Sequence, residues 1–290
     1  MTLAVIGLDG FDMTFDHRFL TVMPFVKSYI DKWWTEIRCD TAPHSAPSWF
    51  TIFTGVPQYL WPLDGKVSAV VDVDNEYHNV HGFYQFSEGE NWATEKREGD
   101  KPWNPKTIQE EADRVGGFVW QKHDGIAQGV MCIQPHYSYR CVRDKRAYYD
   151  GKYDSAEKAK EYLDNFMATF DRTISLSGVP ELWCGVFQIV DQVHHHYNSM
   201  PFYEHSVTMR EVDRCVRQIA EHFDDVILLS DHGVPDEPIE YTWARIRLHS
   251  HRPRAFITHN GARDQINGTL DIVPLIDGLL DSGSEASDPS

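Results

Sequence analysis

The chain has 290 residues, with 27 Lys+Arg against 44 Asp+Glu for a formal charge of −17, and 41% of it is hydrophobic. That composition excludes a disordered or fibrous chain, and the charge argues against a basic nucleic-acid groove. Length alone suggests about two domains or one large α/β domain with an insertion, and the absence of an apolar run of about 18 residues excludes a transmembrane helix.

Leu3–Gly7 is a β-branched apolar run closed by Leu8-Asp9-Gly10, which predicts a buried strand entering a turn. Residues 24–31 predict a helix with Pro24 in its first turn, 34–39 a strand, and 47–54 a helix ending at Gly55. Residues 57–105 are rich in Gly, Pro, Asp and aromatics, so they are expected to form a loop-rich insertion capping the rest. Helix 106–115 and strand 129–133 follow. Ser155 then caps a helix over 155–175, whose apolar positions Ala159, Leu163, Phe166 and Phe170 fall on one face. Strand 182–190, helix 204–223, strands 226–229 and 255–258 and a helix near 271–280 complete the pattern. Strands alternating with helices predict an α/β fold, a mostly parallel central sheet with helices on both faces. The expectation is one domain over 1–282 with a disordered tail at 283–290.

Five scattered cysteines, Cys39, Cys132, Cys141, Cys184 and Cys215, support neither a disulfide framework nor a Cys-x-x-Cys zinc site. Free thiols and a start without a basic n-region point to the cytoplasm. The acidic surface also fits a saline host.

Three apolar runs each end near a carboxylate: Asp9, Asp191 and Asp231. Ligands in open α/β sheets bind beyond the carboxyl ends of the strands, so three such residues would converge there from distant parts of the chain. His195 follows Asp191 by four residues, His232 adjoins Asp231, and His251 precedes the last strand. Asp with His is a donor set for zinc or another first-row divalent ion. Spacing leaves His194 and His196 open beside His195, and His249 beside His251. Ser45 lies just before a predicted helix, where unpaired N–H groups and the helix dipole favour an anion. A cap is the ordinary task of serine there, and metal beside it would make it a nucleophile. Thr41, Ser48 and Thr51 are rival hydroxyls.

These residues, in this order, resemble the alkaline phosphatase superfamily and, within it, the type I phosphodiesterase/nucleotide pyrophosphatase group. GLDGF around Asp9, SAPSWFTIFTG from Ser45, Asp191-x-x-x-His195, SDHG at Asp231-His232 and SHRPRAFI at His251 carry the likeness. His81-Gly82-Phe83 and LDIVPLIDGLL are weaker echoes. The resemblance implies two divalent ions, zinc most often and manganese sometimes. It implies that Asp191, His195 and His251 hold one and Asp9, Asp231 and His232 the other. Ser45 would then be the nucleophile of a metal-dependent phosphoric ester hydrolase acting on a small phosphate ester or nucleotide through a phospho-enzyme.

Three alternatives stand beside it. Ser45-Ala-Pro-Ser-Trp49 also echoes a sulfatase signature, but that signature needs Arg where Trp49 stands and paired aspartates where Asp9-Gly10 stands. A phosphomonoesterase differs only in leaving-group specificity, which falls to residues 57–150. There Tyr59, Trp61, Tyr77, Phe83, Tyr84, Trp92 and Trp103 could stack on a base or simply pack the insertion. A non-catalytic binding or structural module, for instance on a virus particle, would keep the fold without the chemistry. Long polyanions are disfavoured by the surface charge, no membrane contact is expected, and oligomeric state is not encoded legibly.

Overall fold

The computed structural model describes residues 1–40, 45–55, 59–63, 66–71, 77–79, 119–129, 140–142, 154–234, 239–241, 246–248, 251–259 and 266–285. In chain order the elements are β1 (Leu3–Leu8), α1 (Met13–Asp16), α2 (Pro24–Trp33), β2 (Trp34–Arg38), α3 (Ser45–Thr54), β3 (Tyr59–Leu63), β4 (Lys66–Val71) and β5 (Tyr77–Asn79). Then come α4 (Val119–Lys122), β6 (Gly125–Gln128), β7 (Arg140–Val142), α5 (Ala156–Ser177), β8 (Leu182–Phe187), α6 (Ile189–His195), α7 (Phe202–Ala220) and β9 (Asp225–Leu229). The last are β10 (Ile239–Tyr241), β11 (Ile246–Leu248), β12 (Arg254–Thr258), a 3-10 turn at Thr269–Asp271 and α8 (Ile272–Glu285).

Seven strands form the central sheet in the order β2-β12-β9-β1-β8-β6-β7. β1 pairs in parallel with β8 and β9, and β6 with β8 and β7, whereas β12 pairs antiparallel with both β9 and β2. This mixed sheet is the expected α/β architecture. Alternation along β1 explains the two cores. Leu3 and Val5 face a layer containing Trp49, Ile52 and Phe53 of α3 and Ile272, Ile276 and Leu280 of α8. Ala4, Ile6 and Leu8 face α2, α5 and α7 through Val26, Phe166 and Val212. All six β1 residues are buried, as a strand covered on both sides requires. Each large apolar side chain so buried stabilises the fold by about 1.5–3 kcal/mol.

Local signals place several boundaries. Ser155 caps α5 by accepting from the Lys158 N–H at 3.3 Å, and Gly178, at φ 74°, ends that helix. Asp213 of α7 accepts from the Phe25 and Val26 N–H groups at 3.3 and 2.8 Å, so a distant carboxylate caps α2.

The structure departs from the sequence expectations in several places. The apolar run 182–190 is a strand only to Phe187; it then turns into α6, because a buried helix and a buried strand share an apolar composition. Asp191 therefore sits in the first turn of a helix and not at a strand end. Helix α3 begins at Ser45, with Pro47 inside its first turn, where the missing N–H costs nothing. The strand expected over 129–133 has only Gly129 among the described residues; β6 lies just before it, and Gly129 turns at φ 67°. Residues 59–79 of the supposed loop insertion hold a three-stranded antiparallel sheet, β3-β4-β5, and β10 pairs with β11 in a hairpin not foreseen. Helix α8 runs to Glu285, three residues into the expected tail. The helix expected at 106–115, most of the cap and the side chains of its aromatics lie outside the described residues. Among the described residues Cys39, Cys184 and Cys215 form no disulfide.

Candidate metal centre

Sheet topology gathers the candidate residues at one edge. Asp9 follows β1, Asp191 follows β8 within α6, and Asp231 follows β9, all beyond carboxyl ends of parallel strands. Because β12 runs antiparallel, its start lies at that same edge, and His251 just precedes it. β2 runs out toward this edge as well, leading to α3 and Ser45.

Two triads result, and within each the nearest donor atoms lie within 4.8 Å of one another. In the first, His195 Nε2 is 3.0 Å from Asp191 Oδ2, His251 Nε2 is 3.4 Å from Asp191 Oδ1, and the two Nε2 atoms face each other at 3.3 Å. The four-residue step along α6 puts Asp191 and His195 on one helical face. In the second, His232 Nε2 lies 3.2 Å from Asp231 Oδ2 and 3.4 Å from Asp9 Oδ1. His232 Nδ1 donates to the Gly233 carbonyl at 2.9 Å, which leaves Nε2 as the lone-pair nitrogen. The rings of His232 and His251 stack at 4.0 Å, so the triads adjoin.

The donor chemistry of each triad could hold a cation. Asp191 Oδ1 and Asp231 Oδ2 are buried and accept no hydrogen bond of good geometry. Burial, reinforced by the charges of Asp231 and Asp191, pushes the Asp9 carboxyl well above the usual range, against the hydrogen bonds from Trp49 and Ser45. Burial also drives Asp231 upward, opposed by the Gly10 N–H and reinforced by Asp191. Burial would raise Asp191 too, but the imidazoles of His195 and His251 outweigh it and hold that carboxyl well below the usual range. Buried carboxylates that repel one another need positive charge among them, and the nitrogen and oxygen donors suit zinc or another divalent ion.

Ser45 Oγ donates to Asp9 Oδ1 at 3.0 Å and lies 3.1 Å from His232 Nε2. The neighbouring residues separate by their surroundings. His194, open by spacing, turns away to pair with Asp16 at 2.9 Å in a fully buried contact, and His196 ends α6 beyond the triad. Ser48 and Thr51 lie deeper in α3 with no exposed surface, whereas Ser45 keeps 6%. Thr41 and His249 lie outside the described residues.

Residue spacing did not reveal the support of Asp9. Trp49 Nε1 donates to Asp9 Oδ2 at 3.2 Å, and a Cβ on Gly7 would lie 2.4 Å from the Trp49 ring. The bare Cα of Gly7 is what lets the indole slide under β1. Gly10, at φ 67°, likewise leaves room for Asp191, whose Oδ1 would be 2.8 Å from a Cβ there. The one sequence signal for both was glycine on each side of Leu8-Asp9.

Residues 3–259 match the family model described as type I phosphodiesterase / nucleotide pyrophosphatase. Curated protein sequences contain no match to the chain. Among solved structures it is similar to human ectonucleotide pyrophosphatase/phosphodiesterase 5, at 12% identity over 97% of this chain and 95% of that one, with a TM-score of 0.49. It is similar to the PH0037 protein of Pyrococcus horikoshii, at 13% identity over 97% and 96%, with a TM-score of 0.49. It is also similar to alkaline phosphatase from the Antarctic bacterium TAB5, at 10% identity over 97% of each chain, with a TM-score of 0.46. The family match spans nearly the whole chain, so the protein belongs to the type I phosphodiesterase / nucleotide pyrophosphatase family and is a phosphoester hydrolase.

Proposed function

We propose that the protein hydrolyses small phosphodiesters or nucleotide pyrophosphates through a phosphoserine at Ser45. The observation that carries this reading is the position of Ser45 Oγ, at the first turn of α3 and within 3.0 and 3.1 Å of Asp9 and His232. Two divalent cations, zinc or manganese, held by Asp191, His195 and His251 and by Asp9, Asp231 and His232, would acidify the Ser45 hydroxyl and offset charge on the phosphoryl oxygens.

The chain's own residues supply position. Asp9 Oδ1 accepts a hydrogen bond from the Ser45 hydroxyl and so aims the oxygen's lone pairs away from the carboxylate. Trp49 holds the other Asp9 oxygen, and the Gly233 carbonyl holds the tautomer of His232. The dipole at the start of α3 favours the phosphoryl anion. In the first half-reaction the Ser45 Oγ–P bond forms as the bond from phosphorus to the leaving oxygen breaks, and the hydroxyl proton ends on that leaving oxygen. In the second, water attacks phosphorus, the Oγ–P bond breaks, and one proton of the water returns to the Ser45 oxygen while the water's oxygen and other proton leave with the phosphate. Phosphoryl transfer of this kind depends on positioning and charge neutralisation, which this site is built to provide. Trp49, standing where a sulfatase needs Arg, is committed to Asp9 and to the core, which weighs against that alternative.

The test compares bis-aryl and mono-aryl phosphates and an aryl sulfate over a zinc and manganese series. Diester turnover lost in Ser45→Ala, with metal content unchanged, is the expected result. Normal turnover in that variant would place the nucleophile elsewhere. No turnover of any ester by the metal-loaded protein would overturn the catalytic reading.

A further inference from the structure

Three residues past Asp9, Asp12 uses its two carboxylate oxygens for different purposes. Oδ1 caps α1, accepting from the Thr14 N–H and hydroxyl, both at 2.8 Å. A cap needs no more than that. Oδ2 is turned toward other loops, where it accepts from the Val234 N–H at 3.4 Å and faces Arg252 Nη1 at 3.6 Å. Arg252 Nη1 also donates to the Thr14 hydroxyl. The two outer loops are themselves laced together: Gly233 N–H donates to the Arg252 carbonyl at 3.0 Å, and Arg252 N–H to the Val234 carbonyl at 3.1 Å. Gly233 is cut to fit, since a Cβ there would stand 2.6 Å from Asp12 Oδ2 and 3.0 Å from Arg252 Cβ. The carboxylate is 7% exposed, a costly place for a charge without a task.

Each anchor of this clasp adjoins a candidate ligand. Asp12 follows Asp9, Gly233 and Val234 follow His232, and Arg252 follows His251. Asp9 and His232 belong to one triad and His251 to the other. We propose that Asp12 and Arg252 form a positioning clasp that sets the spacing between the two metal triads. The proposal rests on the two-metal reading above. Neither residue is a ligand, and both act through the loops that carry ligands. Outer partners of metal ligands typically contribute about 10–100-fold in metal affinity.

The test is titration of metal-stripped protein with Zn²⁺ or Co²⁺ alone against a competing chelator, with Co²⁺ absorption as a second readout. Asp12→Asn keeps an acceptor for Thr14 but turns an amide N–H toward the Val234 N–H and Arg252. Arg252→Met removes the opposite side of the clasp. Asp213→Asn, which weakens the distant cap of α2, is the control for general destabilisation. The expected result is that Asp12→Asn and Arg252→Met each weaken at least one ion by about 10–100-fold. Their combination should lose no more than the worse single variant, because one clasp can be broken only once. Asp213→Asn should lower the melting temperature and leave both affinities in place. If Asp12→Asn fails to fold, Arg252→Met carries the same expectation alone. Wild-type affinities in the folded clasp variants, additive losses in the double variant, or an equal loss in Asp213→Asn would each overturn the clasp. A wild-type protein that binds neither ion would overturn the two-metal reading and the clasp with it, whereas wild-type binding by Asp12→Asn overturns the clasp only.

Discussion

His195 and His251, 56 residues apart in sequence, face each other through their Nε2 atoms at 3.3 Å, with Asp191 carboxylate oxygens 3.0 and 3.4 Å away. Two imidazole nitrogens at that separation need a proton or a cation between them, and the carboxylate beside them favours positive charge there.

On the proposed two-metal reading, His251→Ala should lower the metal content of the loaded protein from two ions per chain to one, with the Asp9, Asp231 and His232 triad still filled. Elemental analysis after gel filtration checks this. Two full equivalents in the variant would remove His251 from the ligand set.

Trp49 offers a sharper test of how Asp9 is held. Trp49→Phe keeps most of the buried ring but leaves Asp9 Oδ2 without its donor, at a cost of about 1–3 kcal/mol. Gly7→Ala should displace the same indole from the other side, since its Cβ would meet the ring at 2.4 Å; overpacking of this kind costs about 1–3 kcal/mol. Denaturant midpoints measure both changes. Combining them should cost less than the sum, because both break one contact.

The titration signs predict how stability of the metal-free protein depends on pH. Asp9 and Asp231 are raised above the unfolded carboxyl value of about 3.9, so from there upward the folded state holds protons that the unfolded state releases. Stability then falls as pH rises toward their folded values. His195 works in the same direction: burial would lower it, but Asp191 raises it, so its contribution is present below about 6.5 and lost as pH rises through the folded value. Asp191, lowered, contributes above about 3.9 and is lost only as pH falls through its folded value. Thermal melts at pH 5 and pH 8, with chelator and with excess Zn²⁺, should show the larger metal-induced gain at pH 8. An equal gain at both values would contradict the buried-carboxylate account.

Surface charge should limit substrate size. A chain at −17 repels long polyanions, while an ion-filled site can still take a small ester. The kcat/KM for a small nucleotide diester should exceed that for a long single-stranded oligonucleotide, and the gap should narrow as salt shortens the Debye length from about 10 Å at 0.1 M toward about 3 Å at 1 M. A gap that is unchanged by salt would point to steric exclusion instead.

Much of the candidate site was legible because its donor types lie in short local patterns. Asp9 closing an apolar strand, Asp191 four residues before His195, and the Asp231-His232 pair are all visible in order along the chain. Boundaries were less legible where two structures share one composition. The run LWCGVFQIV changes from β8 to α6 without any change in hydrophobicity, so Asp191 was expected at a strand end and stands on a helix. Choice among the three consecutive histidines was also hidden, because it depends on Asp16, which reaches His194 from 178 residues away.

The sequence alone determined the α/β class, the donor types and the order of the candidate residues, since hydrophobic periodicity and turn chemistry act over a few residues. Tertiary structure decided which donors meet. The antiparallel entry of β12 brings His251 to the edge where β1 and β9 end, and α6 turns His195 toward it and His194 away. Gly7 and Gly233 acquire meaning only there, through a Trp49 ring and an Asp12 carboxylate that occupy the space a Cβ would fill. Strand pairing and side-chain packing across more than 200 residues set those meetings, and no local pattern in the chain records them.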